Sequence, residues 1–308
     1  MPFSDPHPRT VAVIAAYSPA EALVEAVRQL TTQLDHVVVV DDGSPGNSSP
    51  VFARLAELGA TVLHQGANRG IAAALNTGIR TARENWSPDF VLTLDQDSLI
   101  TGRYVELALR TYSEAQAAGL VVGFVCAASY SGHAVPTIPS HDGFVHAFDP
   151  MQSGFMIPCS TLDRIGSFDE GLFIDGVDSE FTMRSRTAGL AVLVGAGCDI
   201  EHDLGQRQPG TLLGRPVKIG GTPVSYNYHS PSRVYYICRN GTILTRRYAL
   251  KAPKWVLRRL VEELKAHVLR FAFSPGRGSL LRAAARGFAD GARGVTGRIP
   301  ENLERRVR

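Results

Sequence analysis

Four short runs of β-branched and apolar residues, VAVIAAY (11–17), HVVVVDD (36–42), ATVLHQ (60–65) and FVLTLD (90–95), recur with amphipathic stretches such as PAEALVEAVRQLTTQL between them. No other feature restricts the fold as much. Strand, helix and strand in alternation make a parallel sheet with right-handed crossovers. Runs that are apolar throughout, rather than at every second position, belong to strands covered on both faces. The expected fold class is α/β, a mostly parallel sheet flanked by helices. In such sheets ligands bind outside the carboxyl ends of the strands, so what each run leads into matters most.

The first run ends on Ala16, Tyr17 and Ser18, and the second on Asp41, Asp42, Gly43 and Ser44. The third leads into GANRGIAAALNTGI, and the fourth closes on Asp95 and Asp97, either side of Gln96. Asp41 and Asp42 before Gly and Ser suit a turn, and equally a carboxylate that accepts hydrogen bonds from a base or ribose. Asn68, Arg69 and Gly70 precede a helix whose free amides suit an anion, or they form a plain N-terminal cap. Asp95 and Asp97 are harder to assign to structure alone, because two like charges at an apolar strand end need a positive partner or water. The pair is expected to divide across the extended chain, one toward a nucleotide and the other toward a cation. Mg²⁺ or Mn²⁺ takes one or two carboxylates and fills its shell with water and phosphate oxygens. Such an ion would offset the negative charge that builds on a diphosphate leaving group.

Further along, Asp175, Asp178 and Glu180 in FIDGVDSEFTMR stand where the chain enters a helix. Acidic first turns are common for dipole reasons, and a carboxylate beside a sugar hydroxyl can also act as a general base. His202, in IEHDLG after a later strand, is a candidate third metal ligand, although a lone loop histidine is often incidental.

At 308 residues, 44% hydrophobic and 20% charged, the chain has room for an α/β domain plus an appendage. Its most apolar run, GLVVGFVCAA from Gly119, is about half the length that spans a bilayer. MPFSDPHPRT lacks the basic-then-apolar pattern of an export signal, so the cytoplasm is the expected compartment. Cys126, Cys159, Cys198 and Cys238 lie 33 to 40 positions apart without a CxxC pair and are expected to be structural thiols. Residues 246–308 hold 16 Lys and Arg against 5 Asp and Glu, a net of +11, which leaves −8 on the other 245 residues of a chain whose net charge is +3. The acidic body argues against nucleic acid as a partner. In the basic tail, PKWVLRRLVEELKAHVLRF sets Leu257, Leu260, Val261, Leu264, Val268 and Phe271 at helical spacing. That stripe either packs on the domain or lies on an anionic membrane surface, the inner face of the plasma membrane for a cytoplasmic protein.

In their joint order these pieces resemble the family 2 glycosyltransferases, and within them the bacterial rhamnosyltransferases. The matching pieces are a first strand closing on Ala16 and Tyr17, VVVVDDGS, the NRGIAAALNTGI block from Asn68, LDQDS, SGFMIP, VDSEF and His202. YHSPSRVYYICRN (228–240) is similar to the Arg-x-Tyr-Tyr-x-x-Arg-Asn segment common in rhamnosyltransferases. The resemblance runs from about residue 11 to about 245 and implies a GT-A fold with a Rossmann-like sheet. It implies a glycosyltransferase domain over 1–245, with a nucleotide-binding half at about 10–100 and an acceptor half at about 101–245. The basic helical extension, 246–308, lies outside it. By the resemblance Ala16, Tyr17, Asp41, Asp42, Asn68, Gly70, Asp95 and Gln96 contact the nucleotide sugar, and Asp97 with His202 holds Mg²⁺ or Mn²⁺. Asp178 is the catalytic base of an inverting transfer. Ser153, Gly154, Asp175, Glu180 and Arg233 face the acceptor. The implied donor is dTDP-L-rhamnose, or a UDP-sugar, and the implied acceptor a cell-surface polysaccharide or lipid-linked glycan. Where many relatives carry Trp or Tyr after the glutamate this chain has Phe181, and Gly176 stands where Tyr or Asp is frequent, so a roomier acceptor pocket is expected.

Two rivals lack residues they would need, and a third needs fewer than this chain offers. A dinucleotide fingerprint would need a third glycine three residues after Gly197, where Ile200 stands. A haloacid-dehalogenase-like phosphatase with Asp95 as nucleophile would carry that loop on its first strand, and would need a lysine ahead of a late acidic pair. Here three strands come first and the first lysine is Lys218. A non-catalytic sugar-binding module would need neither base nor metal.

Overall fold

A computed structural model describes residues 8–46, 48–202, 207–212 and 215–307. The chain divides into two compact units, Met1–Phe173 with Val177–Asp203, and Ile174–Gly176 with Leu204–Arg308.

The first unit opens with β1 (Thr10–Ala16), α1 (Ala22–Leu30), β2 (His36–Asp41), α2 (Ser49–Glu57), β3 (Thr61–His64), α3 (Ile71–Trp86) and β4 (Phe90–Asp95). There follow β5 (Ser98–Ile100), α4 (Tyr104–Ala117), β6 (Val122–Cys126), and the two-residue strands β7 (Ser129–Tyr130), β8 (His133–Ala134), β9 (Thr137–Ile138) and β10 (His146–Ala147). β11 (Phe155–Pro158), α5 (Cys159–Ile165), α6 (Val177–Thr187), β12 (Ala191–Val194) and β13 (Asp199–His202) complete it.

Among the described residues the main sheet runs β3-β2-β1-β4-β11-β6-β12-β10-β9. β1 lies parallel to β2 and β4, and β2 parallel to β3. β1, β2 and β4 are buried along nearly their whole length, as continuous apolar runs require. Beyond β4 the sheet is mixed. β12 is parallel to β6, but β11 runs antiparallel to β4 and β6, and β10 antiparallel to β12 and β9. The chain reaches β11 through the excursion of residues 127–154 instead of a crossover helix, so nothing compels a parallel entry. A second sheet, β5-β13-β7-β8, is set beside the end of β4.

Helix faces follow from residue spacing. Leu23, Val24, Ala26, Val27 and Leu30 bury one side of α1. α3 buries Ala72, Ala73, Ala74, Leu75, Ile79 and Ala82, and a Cβ on Gly78 would stand 2.4 Å from Cγ1 of Val13. Small residues thus bring α3 hard against β1. Phe124 stacks on Phe155 with centroids 4.1 Å apart, and Phe168 packs on Phe181 at 4.6 Å. Phe181 is wholly buried in this cluster. The expectation that Phe181 widens an acceptor pocket is therefore corrected: its ring is core.

The second unit carries three small hairpins, β14 (Arg207–Pro209) with β19 (Ser225–Asn227), β15 (Thr211–Leu212) with β16 (Arg215–Pro216), and β17 (Lys218–Ile219) with β18 (Thr222–Pro223). Four helices follow: α7 (Pro231–Tyr248), α8 (Pro253–Phe273), α9 (Arg277–Arg293) and α10 (Glu301–Val307). Ser230 caps α7 by accepting from the amide of Arg233, with Pro231 at the first helical position. α7 and α9 pack tightly, because a Cβ on Gly287 or Gly291 would meet the carbonyl oxygen of Tyr235 or Arg239 at 2.5 Å. Arg239 is fully buried. It donates to Oδ1 of Asn240 at 2.9 Å and the carbonyl of Gly297 at 2.5 Å, and lies over the rings of Tyr235 and Tyr236. All four cysteines are free thiols, three of them buried. No helix among the described residues is long and apolar enough to cross a membrane.

Two histidines make this unit acid-sensitive. Burial, with Arg233 and Arg270 nearby, lowers His229 to about 4, and burial with Arg270 lowers His267 to about 4, both from an ordinary 6.5. Both stay neutral in the fold while the unfolded chain takes up their protons. Stability is thus intact above about pH 6.5 and falls as the pH drops from there toward about 4. Urea midpoints measured from pH 7 to 4 should decline across that window, and His267→Gln should reduce the decline.

Candidate active site

Strand register brings the first site residues to one edge. Ala16 lies opposite Asp41, Ala15 opposite Asp95, and Asp41 opposite His64. The loops that leave these ends are tied to one another by polar bonds. The amide of Tyr17 donates to Oε1 of Gln96 at 2.7 Å, and that of Ser18 to Oγ of Ser44 at 2.8 Å. Ser44 in turn donates to Oδ1 of Asp41 from Oγ at 2.6 Å and from its amide at 2.8 Å, and Nδ1 of His64 stands 3.0 Å from Oδ2. Burial alone would raise the pKa of Asp41. The hydrogen bonds from Ser44 and His64 outweigh it and hold the carboxyl below its ordinary value.

Asp42 is 5% exposed, and its two oxygens accept from the amides of Arg69 at 2.7 Å and Gly70 at 2.9 Å. It thereby satisfies amides at the start of α3, where Gly70 is the cap. Gly70 has φ +92°, and a Cβ there would meet the carbonyl of Phe173 at 2.4 Å; one on Gly43 would meet the carbonyl carbon of Ala67 at 2.5 Å. Only glycine permits loops this close. Asn76, inside the same helix, holds the backbone of Phe168 from both its amide atoms at 2.9 and 3.0 Å. Of the residues expected at the base and ribose, Tyr17 presents the most open surface, at 45% exposure.

β4 ends at Asp95, and Gln96 and Asp97 form a turn before β5. Strand alternation does not divide the two aspartates, since residues two apart share a face; the turn does. Asp95 is half-buried, with Oδ1 accepting from Nε2 of Gln152 and its amide donating to Oγ of Ser153 at 3.1 Å. Asp97 is exposed. Two carboxylates in one turn are hard-oxygen donors of the type a divalent ion takes, one or two at a time. His202 pairs with Ser98 across β5 and β13, so its backbone lies one residue from Asp97. Its side chain is outside the described residues. Among those residues no group of three or more His, Cys, Asp or Glu is arranged to hold a metal by itself.

Asp178 begins α6 half-buried, with Oδ1 accepting from the amide of Ser179 at 2.8 Å. Asp178 and Asp95 share a neighbour. Burial, then the charges of Cys126, Asp95 and Asp178, push the Tyr130 phenol far up, while its hydroxyl donates to the carbonyl of Ser153 at 2.7 Å. The charges of the expected base and of the expected donor-binding aspartate thus both act to keep that phenol neutral.

Three expected acceptor contacts are corrected. Ser153 is fully buried, its Oγ donating to Oγ of Ser98 at 2.7 Å. Gly154 has a buried backbone whose amide donates to Thr93 at 2.7 Å and whose carbonyl accepts from Tyr104 at 2.7 Å. Glu180 is 2% exposed and accepts from Nε and Nη2 of Arg184, one turn on. All three are struts. In the second unit Asp175 and Arg233 pair with each other at 3.1 Å. Burial raises the pKa of Asp175, and Arg233 only partly opposes this. Asp175 has φ +62°, and Asn240 donates to the carbonyls of Ile174 at 2.8 Å and Asp175 at 2.7 Å. Gln152 and His64 stand outside the residues expected from the sequence, and Ser44, expected at the turn, proves to be the donor that holds Asp41. Ser44 was legible as the partner of an Asp three residues earlier, a turn spacing, whereas nothing local marks Gln152.

An α/β sheet with carboxylates at its strand ends, an Asp-x-Asp turn and an acidic helix start agree with a glycosyltransferase of GT-A fold. Residues 11–167, just over half of the 308, match the glycosyl transferase family 2, and the chain belongs to that family. It is 28% identical over 300 residues to the dTDP-rhamnosyl transferase RfbF of Shigella flexneri, covering 93% of this chain and 96% of that one. Among solved structures it is similar to the mannosyltransferase PcManGT from Pyrobaculum calidifontis in complex with GDP-Man and Mn²⁺, with TM-score 0.56 and 18% identity over 97% of this chain and 79% of that one. It is also similar to S. aureus TarS, with TM-score 0.54 and 18% identity over 96% of this chain, which spans half of the TarS chain.

Replacing Asp42 by Asn leaves one oxygen for two amides. The loss should cost about 1–3 kcal/mol in urea unfolding, while Asn68→Ala, beside the same loop, serves as the comparison.

Proposed function

We propose that the protein transfers L-rhamnose, with inversion, from dTDP-L-rhamnose to a glycan hydroxyl on a cell-surface polysaccharide or lipid-linked acceptor. The observation that carries the mechanism is the acidic edge itself: Asp95, anchored by Gln152, and the exposed Asp97 close β4, and Asp178 stands in the first turn of α6. The donor assignment draws on the likeness to RfbF across nearly the whole of both chains.

In this reading Ala16, Tyr17 and the Asp41 loop receive the base and ribose, and the loop of Asn68 and Gly70 lies beside the diphosphate. Asp97, with His202 as a further ligand, would hold Mg²⁺ or Mn²⁺, and the ion would supply positive charge beside the leaving diphosphate. Asp178 takes the proton of the acceptor hydroxyl. That oxygen attacks the anomeric carbon from the face opposite the diphosphate, the bond from that carbon to the diphosphate oxygen breaks, and dTDP departs with the electron pair. Alignment of donor, acceptor and base can by itself supply about 7–11 kcal/mol of rate acceleration.

A panel of nucleotide sugars screened by thermal shift, with and without Mn²⁺, should single out dTDP-rhamnose as the ligand that raises the melting point. A larger shift with a UDP-hexose would overturn the donor assignment. Asp178→Asn should lower kcat by about 10²–10⁴ and leave that shift intact, whereas Asp97→Ala should weaken both. Full turnover by Asp178→Asn would remove it as base. Chelation followed by return of Mn²⁺ should abolish and restore transfer.

A further inference from the structure

The stripe read from the sequence of α8 does not pack. The helix is held by Trp255, Val256 and Arg270, which are buried, and by Phe271 against Val234, Cys238, Leu280 and Ala284. The other stripe residues face out: Leu257 is 65% exposed, Leu260 43%, Val261 43%, Leu264 63% and Val268 57%. Leu250, in the turn before the helix, is 98% exposed. The apolar surface continues onto α9. The ring of His267 stands edge-on to Phe288, itself 49% exposed, with Leu281 two turns earlier at 55%. Packing therefore accounts for one face of α8 and leaves about three turns of aliphatic surface uncovered, more than scattered exposed residues explain.

The charges around this surface have one dominant sign. Lys254, Arg258 and Lys265 are exposed along one border of the stripe, at spacings of four and seven residues, and Arg282, Arg286 and Arg293 are exposed on α9. On α8 the exposed acid is Glu262, which pairs with Lys265 at 3.0 Å. A second copy of this chain packed antiparallel on the stripe, its two-fold axis crossing the helix in the plane of contact, would bring the Lys254, Arg258 and Lys265 border against itself. A bilayer bearing anionic headgroups would meet the aliphatic centre with acyl chains and the basic border with negative charge. We propose that α8, with the adjoining face of α9, seats the protein on an anionic lipid surface, the helix lying in the plane of the headgroups. The seat stands on exposure and charge alone and is independent of the donor and the transfer chemistry.

The test is flotation of the full chain with vesicles of phosphatidylcholine, alone or with about one third phosphatidylglycerol. The wild type should float with the anionic vesicles, remain behind with the neutral ones, and lose binding as salt is raised. Leu257→Asn/Leu264→Asn and Lys254→Glu/Arg258→Glu should each weaken binding by about tenfold or more. Their melting curves and their thermal shift with nucleotide sugar should match those of the wild type, because these side chains are exposed. No flotation, or flotation that both double variants retain, would overturn the proposal. So would a dimer in sedimentation velocity that Leu257→Asn/Leu264→Asn converts to monomer, since a second copy would then occupy the stripe.

Discussion

An apolar sheet that ends in carboxylates must find donors for them, and the way it does so shapes everything at its carboxyl edge. Buried carboxylate oxygens are costly unless each accepts a hydrogen bond. Asp41 takes Ser44 and His64, Asp42 takes two backbone amides, and Asp95 takes Gln152. The donors come from the turn after β2 (Ser44), the end of β3 (His64), the loop before α3 (Arg69 and Gly70) and the segment before β11 (Gln152), so satisfying the charges also fixes these segments. The leaving ends of β1, β2 and β4 are cross-braced before any ligand arrives, the preorganisation that transfer chemistry needs.

The half of the fold made from long apolar runs was legible. HVVVVD and FVLTLD can hardly be anything but interior strands, and both are buried. The other half was not, because β9 and β10 have two residues each and take their direction from tertiary pairing, not from any period in the sequence. At the site, acidic residues were legible as a class but not by role. Asp178 and Glu180 look alike in VDSEF, yet the second is buried under Arg184, one helical turn further on. That partner lies at i+4, a spacing that signals an ion pair on a helix as readily as a site. Ser153 and Gly154 were read as open for the same reason: burial of a backbone loop under Tyr104 and Tyr130 leaves no local mark.

The segment YYICRN of α7, which the sequence marks only by its likeness to a rhamnosyltransferase segment, organises structure. Arg239 has no exposed surface and bridges the end of the chain to α7 through Gly297, while Asn240 clamps the backbone of Ile174 and Asp175. A buried guanidinium with ring faces and carbonyls around it tolerates no lysine, whose point charge offers neither the stacking plane nor the fork.

Burial also silences the four thiols. It pushes Cys126 far above its ordinary value, Cys159 to about 11, and Cys198 and Cys238 to about 12. The thiolate is the reactive form, so peroxide and maleimide at neutral pH have little to attack. A single cysteine introduced on the protein's outside would be the fast-reacting one, and a fluorophore or spin label could be attached there without first stripping out the native four.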